Sequence, residues 1–183
     1  MSRSIEEIEL RTATSADVPA LNALVEASVR GLQGNDYTLA EIEGALGYAL
    51  GLDSQLIADG TYFVAEASGG SIVGSGGWSY RATLCGSDHL RGRTSGSLDP
   101  VADAAKIRAI YVHPLWARRG LGSLILDHCE RQAREAGFRR LEMGSTLTGV
   151  PLYSLRGYRE RERIAIALPN GEEMAVVRMT KNL

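Results

Sequence analysis

Cysteine is scarce in this chain. Two are present in 183 residues, Cys85 and Cys129, far apart and without metal-type spacing. That argues against a disulfide framework and against a zinc site. Long hydrophobic runs are missing too, since no stretch approaches the roughly 18 apolar residues that a membrane span requires. Positive charge is not in excess: 20 Lys and Arg stand against 22 Asp and Glu, for a net charge of -2. The broad positive field of non-specific nucleic-acid binding is therefore not expected. The N-terminus carries Glu6, Glu7 and Glu9 where a secretion signal needs a basic start and an apolar stretch. These absences predict a cytoplasmic protein with neither a membrane nor a nucleic-acid partner. What is present, a hydrophobic fraction of 44% in a chain of ordinary domain length, suits one domain over residues 1–183.

Periodicity divides the chain. Residues 8–12 read as a short strand, and Thr14 with Asp17 reads as a helix start. Val18, Leu21, Leu24 and Val25 repeat at helical spacing, with Gly31 and Gly34 as the stop. A second amphipathic helix is expected over about 38–50. The pattern then changes to strands at 62–65 and 71–80 around the turn Ser68-Gly69-Gly70. Gly74, Gly76 and Gly77 in the second of these predict a bulge or a close backbone approach. Residues 84–102 are polar, rich in Gly and Ser, and without periodicity. A strand follows over 106–112, then a long helix over about 120–136 with Gly137 as its stop and Cys129 on its buried face. A strand at 140–145, a short helix at 149–156 and a final hairpin, 158–168 with 173–180, complete an α/β domain of the α+β type. Its central sheet is expected to be mixed, mainly antiparallel and flanked by helices.

The chemistry concentrates at Ala117-Arg118-Arg119-Gly120-Leu121-Gly122-Ser123. A Gly-x-Gly turn opening a helix presents backbone N–H groups that have no intrahelical partner, and the helix dipole adds positive potential. Such an end binds phosphate. Arg118 and Arg119 add charge, and Ser123 adds a hydroxyl. A dinucleotide fingerprint needs a third Gly or Ala where this chain has Ile125, and no Lys-Ser/Thr pair follows the glycines of 74–77 to make a P-loop.

With Ile107-Arg108-Ala109-Ile110-Tyr111-Val112-His113-Pro114 before that turn, and Val150-Pro151-Leu152-Tyr153 and Gly157-Tyr158 after it, the chain resembles the GNAT superfamily of acyl-CoA N-acyltransferases. The resemblance spans nearly the whole chain. It implies acetyl-CoA as acyl donor, no metal, and an amine of a small molecule or peptide as acceptor, and it leaves monomer and homodimer open. It places the pantetheine arm along Ile110, Tyr111 and Val112. The pyrophosphate falls on Arg118, Arg119, Gly120, Leu121, Gly122 and Ser123, and Tyr153 takes the role of general acid. A phenol with a pKa of about 10 stays protonated above a thiol's roughly 8.5, which suits that role.

The chain departs from the family pattern in three ways. Ala117 stands at the first loop position, Thr148 stands where an Asn is frequent and is expected to cap the short helix that follows, and Lys106 and Arg108 stand where relatives often carry a base. Glu66, Glu142, Asp88, His89, Asp99 and Asp103 are the alternatives for the proton, with none preferred. Arg108, Trp78 and Tyr80 are candidates for the acceptor site. A non-catalytic CoA-binding regulatory domain is the second reading, and a nucleotide-binding module the third.

Overall fold

The computed structural model describes residues 8–91 and 96–183. Seven strands form one sheet in the order β1-β2-β3-β4-β5-β7-β6. They are β1 (Glu9–Thr12), β2 (Tyr62–Ala67), β3 (Ser71–Ser79), β4 (Ala105–Val112), β5 (Arg140–Thr146), β6 (Arg159–Ala167) and β7 (Glu173–Asn182). Every neighbouring pair is antiparallel except β4 and β5. The mixed, mainly antiparallel sheet is as expected.

Helices cover both faces. α4 (Leu121–Glu135) connects β4 to β5 and lays Leu121, Ile125, Leu126, Cys129 and Ala133 on one face, where they join Phe63, Trp78 and Phe138. α1 (Val18–Leu32), α2 (Leu39–Ala45) and α3 (Ser54–Ala58) cover the other, with Leu21, Leu24, Val25, Ile42 and Leu56 packed on Tyr62, Val64 and Tyr111. α5 (Val150–Leu155) sits beyond β5.

Four local expectations are corrected. α1 runs through Gly31 to Leu32, because a side chain at 31 would meet Pro114 Cγ at 2.4 Å: the glycine is a packing position, not a stop. The segment 38–50 is helical only to Ala45 and then turns through a bridge between Leu46 and Leu50. α3 is additional; it is one turn long, capped by the Asp53 carboxylate accepting from the Gln55 N–H, and too short for an apolar period. Thr146, not Thr148, caps the turn before α5 by accepting from the Gly149 N–H, while the Thr148 hydroxyl donates to Asp36.

Candidate functional site

β4 and β5 pair only at their starts, Ala105 with Leu141 and Lys106 with Glu142, and then separate. The cause lies in β4. Ser75 is opposite Tyr111 and Gly77 is opposite Arg108, so Gly76 alone faces both Ala109 and Ile110. The extra residue makes a β-bulge, and Ala109 adopts φ +52° to accommodate it. The glycines of β3 were expected to mark a bulge or a close backbone approach, and both occur: against β2 the extra residue is Val73, next to Gly74, while against β4 the extra residue lies on β4 itself. Gly76 is the residue that permits it, since a Cβ there would lie 2.6 Å from Ile125 and 2.9 Å from Ile110. Tyr62, fully buried, fixes the distortion by placing its hydroxyl 2.9 Å from Ser75 Oγ and donating to the Ala109 carbonyl at 3.1 Å.

The separation opens a cavity of about 80 Å³. Ile107 to Tyr111 of β4 and Met143 to Thr146 of β5 form its sides. Tyr153, Gln33, Ala49 to Gly51 and Leu84 to Gly86 close it. The Tyr153 ring is buried, packed edge-on against Tyr158 at 5.9 Å, and desolvation raises the phenol above its usual pKa. It is therefore a neutral O–H at any physiological pH. Tyr111 points to the α1 face. There its hydroxyl accepts from the Gly51 N–H at 3.0 Å, and burial lifts it to about 12.

Beyond Lys106 the edge of β4 that faces the separation has no strand partner among the described residues. The His113 N–H donates to Val73 of β3, so by strand alternation the Val112 N–H points away from β3. Ser28 of α1 accepts from it at 3.2 Å. Ser28 was not anticipated, although a serine within the Leu21, Leu24, Val25 stripe is a visible signal for a buried hydroxyl.

Beyond β4, residues 114–116 make one 3-10 turn, and the backbone then bends twice through left-handed conformations, at Arg118 (φ +61°) and Gly120 (φ +88°), before α4 starts. The first intrahelical bond of α4 runs from the Leu124 N–H to the Gly120 carbonyl, which leaves the amides of 121–123 at the helix end. No acidic residue occupies that first turn. Arg118 and Arg119 are exposed beside it, the latter with its guanidinium 6.0 Å from the buried Trp116 ring. Together these features suit an anion of more than one charge.

The remaining sequence candidates scatter. Arg108 lines the cavity, but its guanidinium is held by Asp53 at 2.9 Å, with side chains 2% and 1% exposed, and also donates to the Gly86 carbonyl. Trp78 is in the core between Tyr80 and Phe138, and neither Trp78 nor Tyr80 lines the cavity. Glu66 pairs with Arg11, and Asp88 accepts from the Ser54 N–H. Asp99 accepts from the Val101 N–H and Asp103 from the Asp99 N–H. Glu142 is held by Lys106 and Arg178; burial opposes its ionisation, yet the two cations keep it below the usual carboxylate range. His89 is exposed. None of these candidate proton acceptors lines the cavity, nor does any other carboxylate or imidazole among the described residues. Cys85 does line it, and burial pushes its thiol up. Cys129 is sealed in the core. No His, Cys, Asp and Glu grouping suited to a metal occurs among the described residues, and no helix there is long and apolar enough to cross a membrane.

Comparison with known proteins gives a consistent result. The profile of the acetyltransferase (GNAT) family matches residues 28–158, more than half of the chain. A GCN5-related N-acetyltransferase from Rhodopseudomonas palustris superposes with TM-score 0.70 at 25% identity, covering 100% of this chain and 98% of that one. The PaiA N-acetyltransferase of Thermoplasma acidophilum, solved with coenzyme A, gives 0.63 at 13% identity and covers 100% of both chains. YncA of Salmonella typhimurium, solved with acetyl-CoA, gives 0.63 at 19% identity over 97% and 94%. The curated proteins contain no match.

Proposed function

The chain belongs to the GNAT family of acetyltransferases, and from that premise we propose that it transfers an acetyl group from acetyl-CoA to a primary amine of a small molecule or peptide by direct attack. The observation that carries this reading is the separation of β4 from β5 beside Tyr153, with an open-ended helix N-terminus beyond β4. The amides of 118–123 would hold the pyrophosphate. Ile110, Tyr111 and Val112 would hold the pantetheine arm as an added strand, with Ser28 yielding or sharing the Val112 N–H.

In the chemical step the amine nitrogen bonds to the thioester carbon, the N–H at Ile110 polarises the carbonyl, and the C–S bond then breaks. Tyr153 protonates the departing thiolate and recovers its proton from the one the amine releases. An alkyl ammonium of pKa about 10.4 is only about one part in two thousand neutral at pH 7. With no carboxylate or imidazole lining the cavity among the described residues, that proton leaves through water.

Calorimetric titration of acetyl-CoA, followed by a CoA-thiol release screen over amines, tests the proposal. Micromolar binding with amine-dependent release is expected. Binding without release from any amine would favour the non-catalytic CoA-binding domain instead, and tight ATP binding in place of acetyl-CoA would favour the nucleotide module.

A further inference from the structure

Gln33 stands out among the cavity residues, because its side-chain oxygen Oε1 is buried with no hydrogen-bond partner. A carbonyl left this way destabilises the fold unless something donates to it. Its backbone is fully used. Its N–H donates to Val29, ending α1, and its carbonyl accepts from Asp36 and Tyr37. Tyr37 in turn donates to the Ala175 carbonyl and accepts from the Leu147 N–H, which ties the turn to β7 and to the end of β5. Gln33 is thus held rigidly at the cavity wall with only its carboxamide uncommitted. None of residues 117–123 lines this cavity, so it is the end of the cleft away from the proposed phosphate turn.

Resting on the acetyltransferase reading above, we infer that Gln33 positions the acceptor, its carboxamide oxygen accepting an N–H of the incoming amine. The rest of the wall mixes apolar side chains such as Leu50, Ile107 and Met143 with the hydroxyls of Ser145 and Thr146, and the one cation among the described residues there, Arg108, is ion-paired to Asp53. A neutral acceptor atom in a wall with no carboxylate among the described residues recognises a small monoamine. It offers a second ammonium group no counter-charge, so polyamines are disfavoured.

The test uses n-butylamine, ethanolamine and spermidine as probes, with CoA-thiol release for rates, calorimetry for acetyl-CoA and thermal unfolding for stability. Wild type is expected to turn over the monoamines at higher kcat/KM than spermidine. Gln33→Met removes an unpartnered polar atom at similar volume, so Tm should hold or rise while monoamine KM climbs on the order of fivefold to tenfold and acetyl-CoA affinity stays fixed. Gln33→Glu should shift preference toward spermidine. Unchanged monoamine KM in Gln33→Met overturns the inference. A fall in Tm overturns it in favour of a structural role, and a loss of acetyl-CoA affinity overturns it in favour of the donor arm. Preference of wild type for spermidine, or acetyl-CoA binding with none of the probes acetylated, overturns the substrate class. Failure of wild type to bind acetyl-CoA removes the underlying reading, and the role of Gln33 with it.

Discussion

Lys106 and Arg108 lie two residues apart on β4, on one side of the strand, and do opposite things. Lys106 reaches Glu142 and, through it, Arg178, so β4 is tied to β5 and β7 where the strands still pair. Arg108 reaches Asp53, the cap of α3, and the Gly86 carbonyl, so one turn of the pleat later β4 is tied to the cavity wall instead. The closed end is a charge cluster between strands, and the open end is a neutral cavity between the same strands. The bulge at Ala109 begins immediately after Arg108. Lys106 and Arg108 are here ion-paired on either side of the point where the sheet splits.

The largest expected effect comes from breaking the open-end tether. Asp53→Ala leaves the Arg108 guanidinium buried without its carboxylate, and should lower unfolding free energy by about 4 kcal/mol in urea titration. Glu142→Ala breaks the closed end and should cost about 3 kcal/mol, less because Arg178 is partly exposed and can return to water. The closed end also has a pH signature. Glu142 has its pKa depressed in the fold, so its contribution is present above the unfolded carboxylate value of roughly 4.3 and is lost as pH falls through the folded value. Acid titration of wild type and Glu142→Ala should therefore converge at low pH. Curves that stay parallel would show that Glu142 does not sense its neighbours.

Catalysis should respond only at the open end. Tyr153→Phe keeps the ring against Tyr158 and removes the proton, so kcat should fall by about 100-fold, or about 2.7 kcal/mol of barrier, at unchanged acetyl-CoA affinity. Equal turnover would remove Tyr153 from the acid role. With no carboxylate or imidazole lining the cavity among the described residues, kcat/KM should rise about tenfold per pH unit below the pKa of the amine used, without a plateau near neutrality. A plateau between pH 6 and 8 would reveal an internal base.

The two ends also differ in how far they could be read from the sequence. The turn at 117–123, α4 and the strands flanking them along the chain were legible, because Gly-x-Gly at a helix start and 3.6-residue periodicity are local signals. The pairs Arg108 with Asp53 and Lys106 with Glu142 join residues 55 and 36 apart, and no local pattern marks such partners. Ala109 carries no mark of a left-handed conformation. The visible signal was the glycines of β3, which marked that strand's own bulge and close approaches but not the second bulge on the facing strand. Trp78 and Tyr80 looked like acceptor walls by residue type alone, yet Trp78 packs on Phe138 in the core. The irregular run after Tyr80 was recognisable as such, but that Leu84 to Gly86 would wall the cavity depends on the Arg108 contact to Gly86.

The finest form of the comparison substitutes the same residue at both ends of one strand. Ala105 is buried and paired with Leu141, in extended backbone that any residue adopts. Replacing it by Gly loses a packed methyl and adds unfolded-state entropy, and should destabilise by about 1 kcal/mol. Ala109 holds φ +52°, which strains a residue with a Cβ. Replacing it by Gly relieves that strain, so the balance reverses and stability should hold or increase by up to about 1 kcal/mol. Opposite signs from one substitution four residues apart, read as Tm, would locate the sheet's distortion at 109 as an imposed feature of the fold. Destabilisation of equal size at both positions would mean that β4 is relaxed throughout, and that the separation of β4 from β5 originates in the Arg108 tether rather than in the bulge.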